Sequence, residues 1–268
     1  MAAALAAGAA MFGVMALAWG VQRLSGRAGW VDAMWSLGTG LCGAGGALAA
    51  GNDGRAILVA MCALGWALRL ALHIAARTRH GPDDARYAAF RAQHGAGYQR
   101  WLFRFLMIQA AASLPLIGAI MLAAADPAPL PRWSDVAAVL VLAGSVFGAG
   151  IADRQKEGFR RDPANRGRVC DSGLWAYSRH PNYFFEWLGW FAWPLFAIDW
   201  GGWPWGWLAL IAPVEMYWLL VHVSGIPPLE ASMLQSRGAA WRAYQARTSA
   251  FFPWFRAAAR APARQPGK

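Results

Sequence analysis

The sequence predicts an all-α, polytopic membrane protein with seven transmembrane helices, its N-terminus outside and its C-terminus inside. Hydrophobic residues make up 57% of the 268 residues and charged residues only 15%, against roughly 25% in soluble domains. The 17 Trp and 30 Gly residues suit a bilayer, where Trp favours the interface and Gly allows close helix contact. In addition, nearly all Lys and Arg residues fall on one side of the predicted spans.

A helical span needs about 20 mostly apolar residues, and seven stretches come close to this length. The first has no Lys or Arg before its apolar run, while Arg23 and Arg27 follow it. This order is the reverse of that in a signal peptide, so we interpret the stretch as a helix. The predicted spans cover residues 2–21, 30–50, 56–75, 104–125, 134–152, 183–200 and 204–223.

The basic side chains predict the orientation. With seven spans, 22 Lys and Arg residues lie on one side, and only Arg55 and Arg132 lie on the other. Cytoplasmic loops carry such an excess, so we expect an integral protein of a bacterial inner membrane with this face in the cytoplasm. The charge attracts anionic lipid heads; alternatively, it marks a site for a polyanion such as a nucleotide. Nucleic acid is not expected, because the aromatic residues lie in the spans.

Six ionisable side chains are predicted at membrane depth, where charges are costly and usually functional or paired. They are Asp32, Arg69, His73, Glu186, Glu215 and His222. Together they favour a polar cavity inside the helix bundle. The alternative is a set of structural ion pairs, for example Asp32 with Arg69. A transporter would also have such a cavity, but the chain shows no inverted repeat.

Residues 150–187 carry the densest polar chemistry. Arg160, Arg161 and Arg166 supply guanidinium groups, which grip phosphate in a planar, bidentate way. Asn182 and Glu186 share one helix face one turn apart. Aromatic rings nearby can stack on a heteroaromatic ring, and carboxylates can accept from ribose hydroxyls or a carboxamide. The stretch therefore predicts a nucleotide site; the alternative is a solvated basic loop followed by a capped helix.

Several motifs make the chain similar to a known family. The stretch from Asp153 to Trp187 resembles the C-terminal region of the steroid 5α-reductases, and the whole chain resembles a bacterial and plant relative of that family. The motifs are WVDAMWSLG (30–38), LRLALHIAAR (68–77), DDARYAAFR (83–91), SRHPNYFFEWLGW (178–190) and GIPPLEASMLQSRGAAWRAYQARTSAFFPWF (225–255). The resemblance implies a seven-helix fold that holds NADPH in its cytoplasmic half.

The resemblance also implies roles for individual residues. A catalytic carboxylate of the second helix falls on Asp32. The Tyr that the reductases carry in the third helix is missing near His73, which leaves His73 as a proton donor, and Glu186 would lie near the nicotinamide. The expected cofactor-binding residues are Asp153, Arg160, Arg161, Arg166, Tyr177, Arg179, His180, Asn182, Tyr183, Glu186, Arg237 and Tyr244.

By the same resemblance, residues 1–268 form a single transmembrane domain. Residues 1–125 would surround the substrate cavity, and residues 126–268 would bind NADPH. A hydrophobic enone would enter from the bilayer and take a hydride at its β-carbon, while Asp32 or His73 polarises the carbonyl. The expected partners are this small molecule and membrane lipids. No metal site is predicted, since the three Cys residues are isolated.

Two alternatives stay open. The isoprenylcysteine carboxyl methyltransferases are similar at the Arg-His-Pro-x-Tyr signature of residues 179–183, and they use S-adenosylmethionine. Their tail pattern is matched loosely by Glu230, Gly238, Trp241, Tyr244 and Pro253. Asn182 and the Arg160–Arg161 pair favour the reductase, because S-adenosylmethionine has no phosphate. The second alternative is a non-catalytic lipid-binding or transport protein.

Overall fold

The computed structural model of the chain describes residues 1–51, 54–81 and 84–255. Across these residues the regular elements are helices, with isolated bridges at Ser178–Ser249 and Asp199–Trp203. The all-α prediction is therefore confirmed. The α-helices are α1 (Ala2–Ser25), α2 (Gly29–Ala50), α3 (Gly54–His80), α4 (Ala85–His94), α5 (Tyr98–Ala125), α6 (Trp133–Arg161), α7 (Pro181–Gly189), α8 (Ala192–Ala197), α9 (Ile211–Trp218), α10 (Ile226–Arg237) and α11 (Ala239–Arg247).

The part of the chain that the structure describes has five helical segments long and apolar enough to cross a membrane. They correspond to the predicted first, third, fourth, fifth and seventh spans, and they confirm a polytopic, integral membrane protein. The segments are Ala2–Ser25, Gly54–His80, Arg86–Ala125, Trp133–Arg161 and Pro204–Arg237. The last segment changes its winding: a 3₁₀ turn (Pro204–Leu210) precedes α9, and a π-helical turn (Leu219–Val223) follows it.

The predicted span at 183–200 is not one helix. It divides into α7 and α8, and the amides of Trp190 and Phe191 bond to carbonyls three residues back, at 3.1 Å each. Pro194 has no N–H to offer the carbonyl of Trp190, so a regular helix cannot continue across this point. The apolar composition predicts a helix at 183–200 but does not show where that helix breaks.

Helix α2 forms as predicted but is not among the five apolar segments, because its many glycines lower its hydropathy. These glycines allow close packing. A Cβ at Gly40 would lie 2.2 Å from the Ala67 Cβ, and one at Gly43 would lie 2.6 Å from the Ile120 side chain. The G-x-G-x-x-G spacing that begins at Gly38 therefore lies inside a packed helix and not in a phosphate-binding turn.

The chain divides into two compact units. Unit 1 comprises Met1–Val146 and Trp187–Trp218; unit 2 comprises Phe147–Glu186 and Leu219–Lys268, of which the structure describes residues up to 255. The core of unit 1 includes fully buried Met11, Met15, Leu102 and Leu106.

In unit 1, both basic residues predicted for the outer side are held by acids. Arg55 is 1% exposed, and its Nη1 lies 2.6 Å from the Asp135 carboxylate. Arg132 contacts Asp126 at 2.7 Å and Asp135 at 3.2 Å. Burial of an unpaired charge is strongly unfavourable, and the ion pairs with Asp126 and Asp135 offset that cost. The network joins the starts of α3 and α6.

Candidate functional site

In unit 2, the C-terminal part of α6 and the start of α7 are joined by two of the predicted cofactor residues. The Asn182 side-chain amide donates to the Asp153 carboxylate at 3.3 Å. Both side chains are partly buried. Among the residues that the structure describes, none donates to the Asn182 carboxamide oxygen. The pair thus presents a carboxylate beside an amide acceptor, the chemistry that binds a carboxamide or a ribose hydroxyl.

The Arg179–His180 dipeptide before α7 is engaged by a carboxylate on α10. Arg179 Nε donates to Glu230 at 2.6 Å, and His180 Nε2 lies 3.2 Å from the same oxygen. Arg179 also donates to the carbonyls of Gln245 at 3.3 Å and Thr248 at 2.5 Å. Arg179 therefore links the start of α7 to the end of α11, while His180 contacts α10 through Glu230.

Backbone pairing fixes the same segment. The Arg179 amide donates to the Ser249 carbonyl at 2.8 Å, and the Trp254 amide donates to the Tyr177 carbonyl at 3.0 Å. Tyr244, 1% exposed, directs its hydroxyl at the carbonyls of Trp175 and, at 3.3 Å, Ser178. The Tyr244 hydroxyl therefore links α11 to residues 175–178.

His180 is buried, and its ring stacks on Tyr183 with centroids 5.7 Å apart. Burial lowers the pKa of the His180 imidazole; the charges of Lys156 and Arg179 act in the same direction, against the hydrogen bond and charge of Glu230. A lowered pKa leaves the ring neutral at pH 7. The ring then donates from Nε2 to Glu230.

The predicted phosphate-binding arginines lie on the surface. Arg160 and Arg161 both contact Glu157, at 2.7 and 2.9 Å, and keep 51% and 78% of their side chains exposed. One carboxylate facing two guanidinium groups leaves a net positive charge. Exposed ion pairs of this kind contribute little, so an incoming phosphate can replace them. Arg166 and Arg237 are also exposed.

The remaining predicted cofactor residues differ in exposure. Glu186 is 9% exposed and lies in α7, whereas Tyr177 is 44% exposed and contacts Phe255 edge to face. An open depression of about 510 Å³ adjoins Tyr177 and is lined by Asp171, Ser172 and Ala176. A second depression, of about 410 Å³, lies along residues 245–255.

In unit 1, the predicted catalytic carboxylate has partners that the sequence did not suggest. Tyr87 OH donates to Asp32 at 3.0 Å, and Arg86 forms an ion pair with Asp32. Arg86 also contacts Asp84 at 2.9 Å. Although burial opposes it, hydrogen bonding and charge from Arg86, with a smaller contribution from Arg77, hold the Asp84 pKa below its ordinary value.

Tyr87 is the residue that sequence reasoning missed. A Tyr beside the catalytic carboxylate was sought on the third helix, near His73, whereas α4 supplies one that is 2% exposed. Tyr87 lies within the DDARYAAFR motif, but nothing in the sequence predicts that this Tyr contacts Asp32. Asp83 of that motif lies outside the described residues. His73 is partly buried on α3.

Comparison with known proteins identifies a family but not an activity. A family described as "Protein of unknown function (DUF1295)" matches residues 18–248. The match begins within α1 and includes Asp32, Tyr87, Asp153 and Asn182. Searches of the curated proteins and of the solved structures gave no match.

Proposed function

This chain belongs to the DUF1295 family, and we propose that it is a membrane-embedded, NADPH-dependent reductase of an enone C=C bond in a steroid- or lipid-like substrate. The contact between Asp153 and Asn182 carries the proposal. It brings together two residues expected at a nucleotide and leaves an amide acceptor without a protein donor among the described residues. Glu186 follows Asn182 by one helical turn and completes a polar edge for the nicotinamide carboxamide.

The surface arginines of α6 supply the second support. Arg160 and Arg161 share one carboxylate and remain largely exposed, and Arg166 follows in the next loop. Three exposed arginines within residues 160–166 suit a phosphorylated dinucleotide, because Arg binds phosphate through paired N–H donors. In this proposal Arg179, His180 and Tyr244 hold the shape of the site through their contacts within unit 2.

In unit 1, the Asp32–Tyr87 pair supplies the chemistry for the substrate. A bound NADPH would supply the hydride for the β-carbon of the enone, whose C=C electron pair would move toward the carbonyl oxygen. A Tyr hydroxyl that donates to this oxygen would stabilise the enolate, and a proton from solvent, added at the α-carbon, would complete the reduction. In this structure the single Tyr87 O–H donates to Asp32, so the hydroxyl would turn from Asp32 to the substrate oxygen, while Arg86 pairs with the Asp32 carboxylate. His73 remains an alternative donor.

One observation favours a second candidate, an S-adenosylmethionine-dependent methyltransferase of the isoprenylcysteine carboxyl methyltransferase type. The His180 ring meets Glu230, which joins the signature at 179–183 to the tail pattern expected of that family. The exposed arginines argue against it, since that cofactor has no phosphate to bind them.

We further propose seven spans, with α2 and the α7–α8 segment as the two beyond the five apolar ones. The N-terminus then lies outside, and the cofactor site faces the cytoplasm of a bacterial inner membrane. The charge asymmetry supports this orientation. A reporter fused after Lys268, which lies outside the described residues, should be active only in the cytoplasm; periplasmic activity would overturn the orientation.

Mass spectrometry of small molecules that copurify with the detergent-solubilised protein tests the reductase proposal. Recovery of a phosphorylated nicotinamide dinucleotide or a hydrophobic enone would support it. Recovery of S-adenosylmethionine or its demethylated product would favour the methyltransferase instead.

A further inference from the structure

The C-terminal part of the chain combines positive charge with aromatic residues. From Arg237 to Lys268 the sequence contains seven Lys and Arg residues and no Asp or Glu. Four of these cations follow residue 255, outside the described residues. Clusters of this size close to a membrane-spanning segment bind anionic lipid surfaces.

Aromatic side chains project from the described part of this segment. Phe252 is 47% exposed, Trp254 72% and Phe255 82%. Tyr177, at 44%, adjoins Phe255 with ring centroids 6.3 Å apart. We define the aromatic ridge as Tyr177, Phe252, Trp254 and Phe255. Contiguous exposed apolar groups of this kind mark an interaction surface.

The ridge is held in place rather than carried on a loose tail. The Trp254 amide donates to the Tyr177 carbonyl at 3.0 Å, and Ser178 Oγ donates to the Phe251 carbonyl at 2.8 Å. Phe251, 4% exposed, packs against Phe184 and anchors the base of the ridge. These contacts already fix the backbone at Phe251 and Trp254. Binding of the exposed rings of Phe252, Trp254 and Phe255 to a surface therefore costs little further backbone entropy.

We propose that the aromatic ridge and the basic residues around it bind the surface of a bilayer that contains anionic lipid. Trp and Phe favour the interfacial zone, and exposed Arg242 supplies charge complementary to phosphate headgroups. The bilayer is within reach because the chain is an integral membrane protein. The segment would then lie on the membrane as a peripheral anchor, distinct from the spans.

A fluorophore sensitive to its surroundings tests this placement in the full-length protein in nanodiscs. In a background without Cys42, Cys62 and Cys170, the label is attached at Phe255→Cys or, as control, at Ala243→Cys on exposed α11. The ridge label should be quenched by lipid-borne nitroxide in discs containing phosphatidylglycerol, and less so in purely zwitterionic discs or at high salt. The Ala243→Cys label should stay aqueous throughout.

A label at 255 that stays aqueous in anionic discs would overturn the proposal. So would energy transfer between labelled copies together with an aqueous signal, which would make a second copy the occupant. A label at 255 whose fluorescence changes with NADPH, but is not quenched by lipid-borne nitroxide, would equally overturn the proposal. The ridge would then belong to the cofactor site.

A second measurement keeps the native cysteines. Native mass spectrometry should show that the triple variant Phe252→Ser/Trp254→Ser/Phe255→Ser retains less phosphatidylglycerol than the unaltered chain. Arg242→Gln should lower retention about fivefold, the value of one basic residue near an anionic surface. Trp200→Ser, which removes a Trp 80% exposed in unit 1, should retain lipid as the unaltered chain does. Equal retention in all four proteins would contradict the proposal.

Discussion

The Asn182 side-chain amide donates to the Asp153 carboxylate at 3.3 Å, although the two residues are 29 positions apart in the chain. This contact ties the start of α7 to the C-terminal part of α6. It argues against the alternative of a helix cap, because the side-chain amide bonds to another helix rather than to the backbone of its own.

Replacing Asn182 or Glu186 should weaken NADPH binding. Asn182→Ala removes an amide that can bond to the nicotinamide, and the loss of one neutral hydrogen bond is worth about three- to tenfold in affinity. Glu186→Gln removes a charged acceptor and should have a similar or larger effect. NADPH affinity and melting temperature are measured on the same preparations, with Asn165→Ala as the matched control. Lower melting temperatures with unchanged affinity would remove both residues from the site.

Arg160→Ala and Arg161→Ala should reduce the preference for NADPH over NADH. Each contact between a guanidinium and the 2′-phosphate is worth about 1.5–3 kcal/mol, and the double variant should lose most of the preference. Binding of both nucleotides is compared by titration, with Arg104→Ala, another exposed arginine, as control. If NADPH and NADH weaken equally, these residues do not read the 2′-phosphate.

Tyr87→Phe should slow reduction without weakening NADPH binding. The change removes the hydroxyl bonded to Asp32, and the loss of a positioned proton donor costs about 10²–10⁴-fold in rate. NADPH oxidation with a 4-en-3-one steroid as probe measures the rate, and Tyr98→Phe, another buried Tyr, is the control. Undiminished turnover in Tyr87→Phe would leave His73 as the candidate donor.

His180 should make stability depend on pH. Its pKa is lowered in the folded state, so the unfolded chain takes up a proton first as the pH falls. The contribution is therefore fully present above about pH 6.5 and is lost as the pH falls from there through the folded pKa. Melting temperatures across this range should fall less in His180→Gln than in the unaltered chain or in His80→Gln. Identical pH profiles would show that His180 is not the group responsible.

The long apolar helices could be predicted from sequence because burial in lipid imposes one simple pattern, about 20 apolar residues per span. Hydropathy does not show where a helix breaks, so the apolar pattern predicts one helix across 183–200. The break depends on Pro194, whose missing N–H acts on one backbone bond. Helix α2 shows the converse, since its glycines lower its hydropathy while allowing its close packing.

The local spacing within the candidate site could be predicted, as for Asn182 and Glu186, which lie one turn apart in α7. The long-range contacts of the site could not. Glu230 meets Arg179 from 51 residues away, and Arg86 meets Asp32 from 54. No period in the sequence encodes such distances, and they follow only from helix packing. This is why Tyr87 was missed although its motif was recognised.

Thermal-shift titration of the detergent-solubilised protein with NADPH and with S-adenosylmethionine tests the central claim most directly. A ligand that binds the folded state alone raises its melting temperature. We expect NADPH to stabilise the protein more than S-adenosylmethionine does, and Asn182→Ala to reduce that stabilisation. Stabilisation by S-adenosylmethionine with none by NADPH would contradict the reductase proposal.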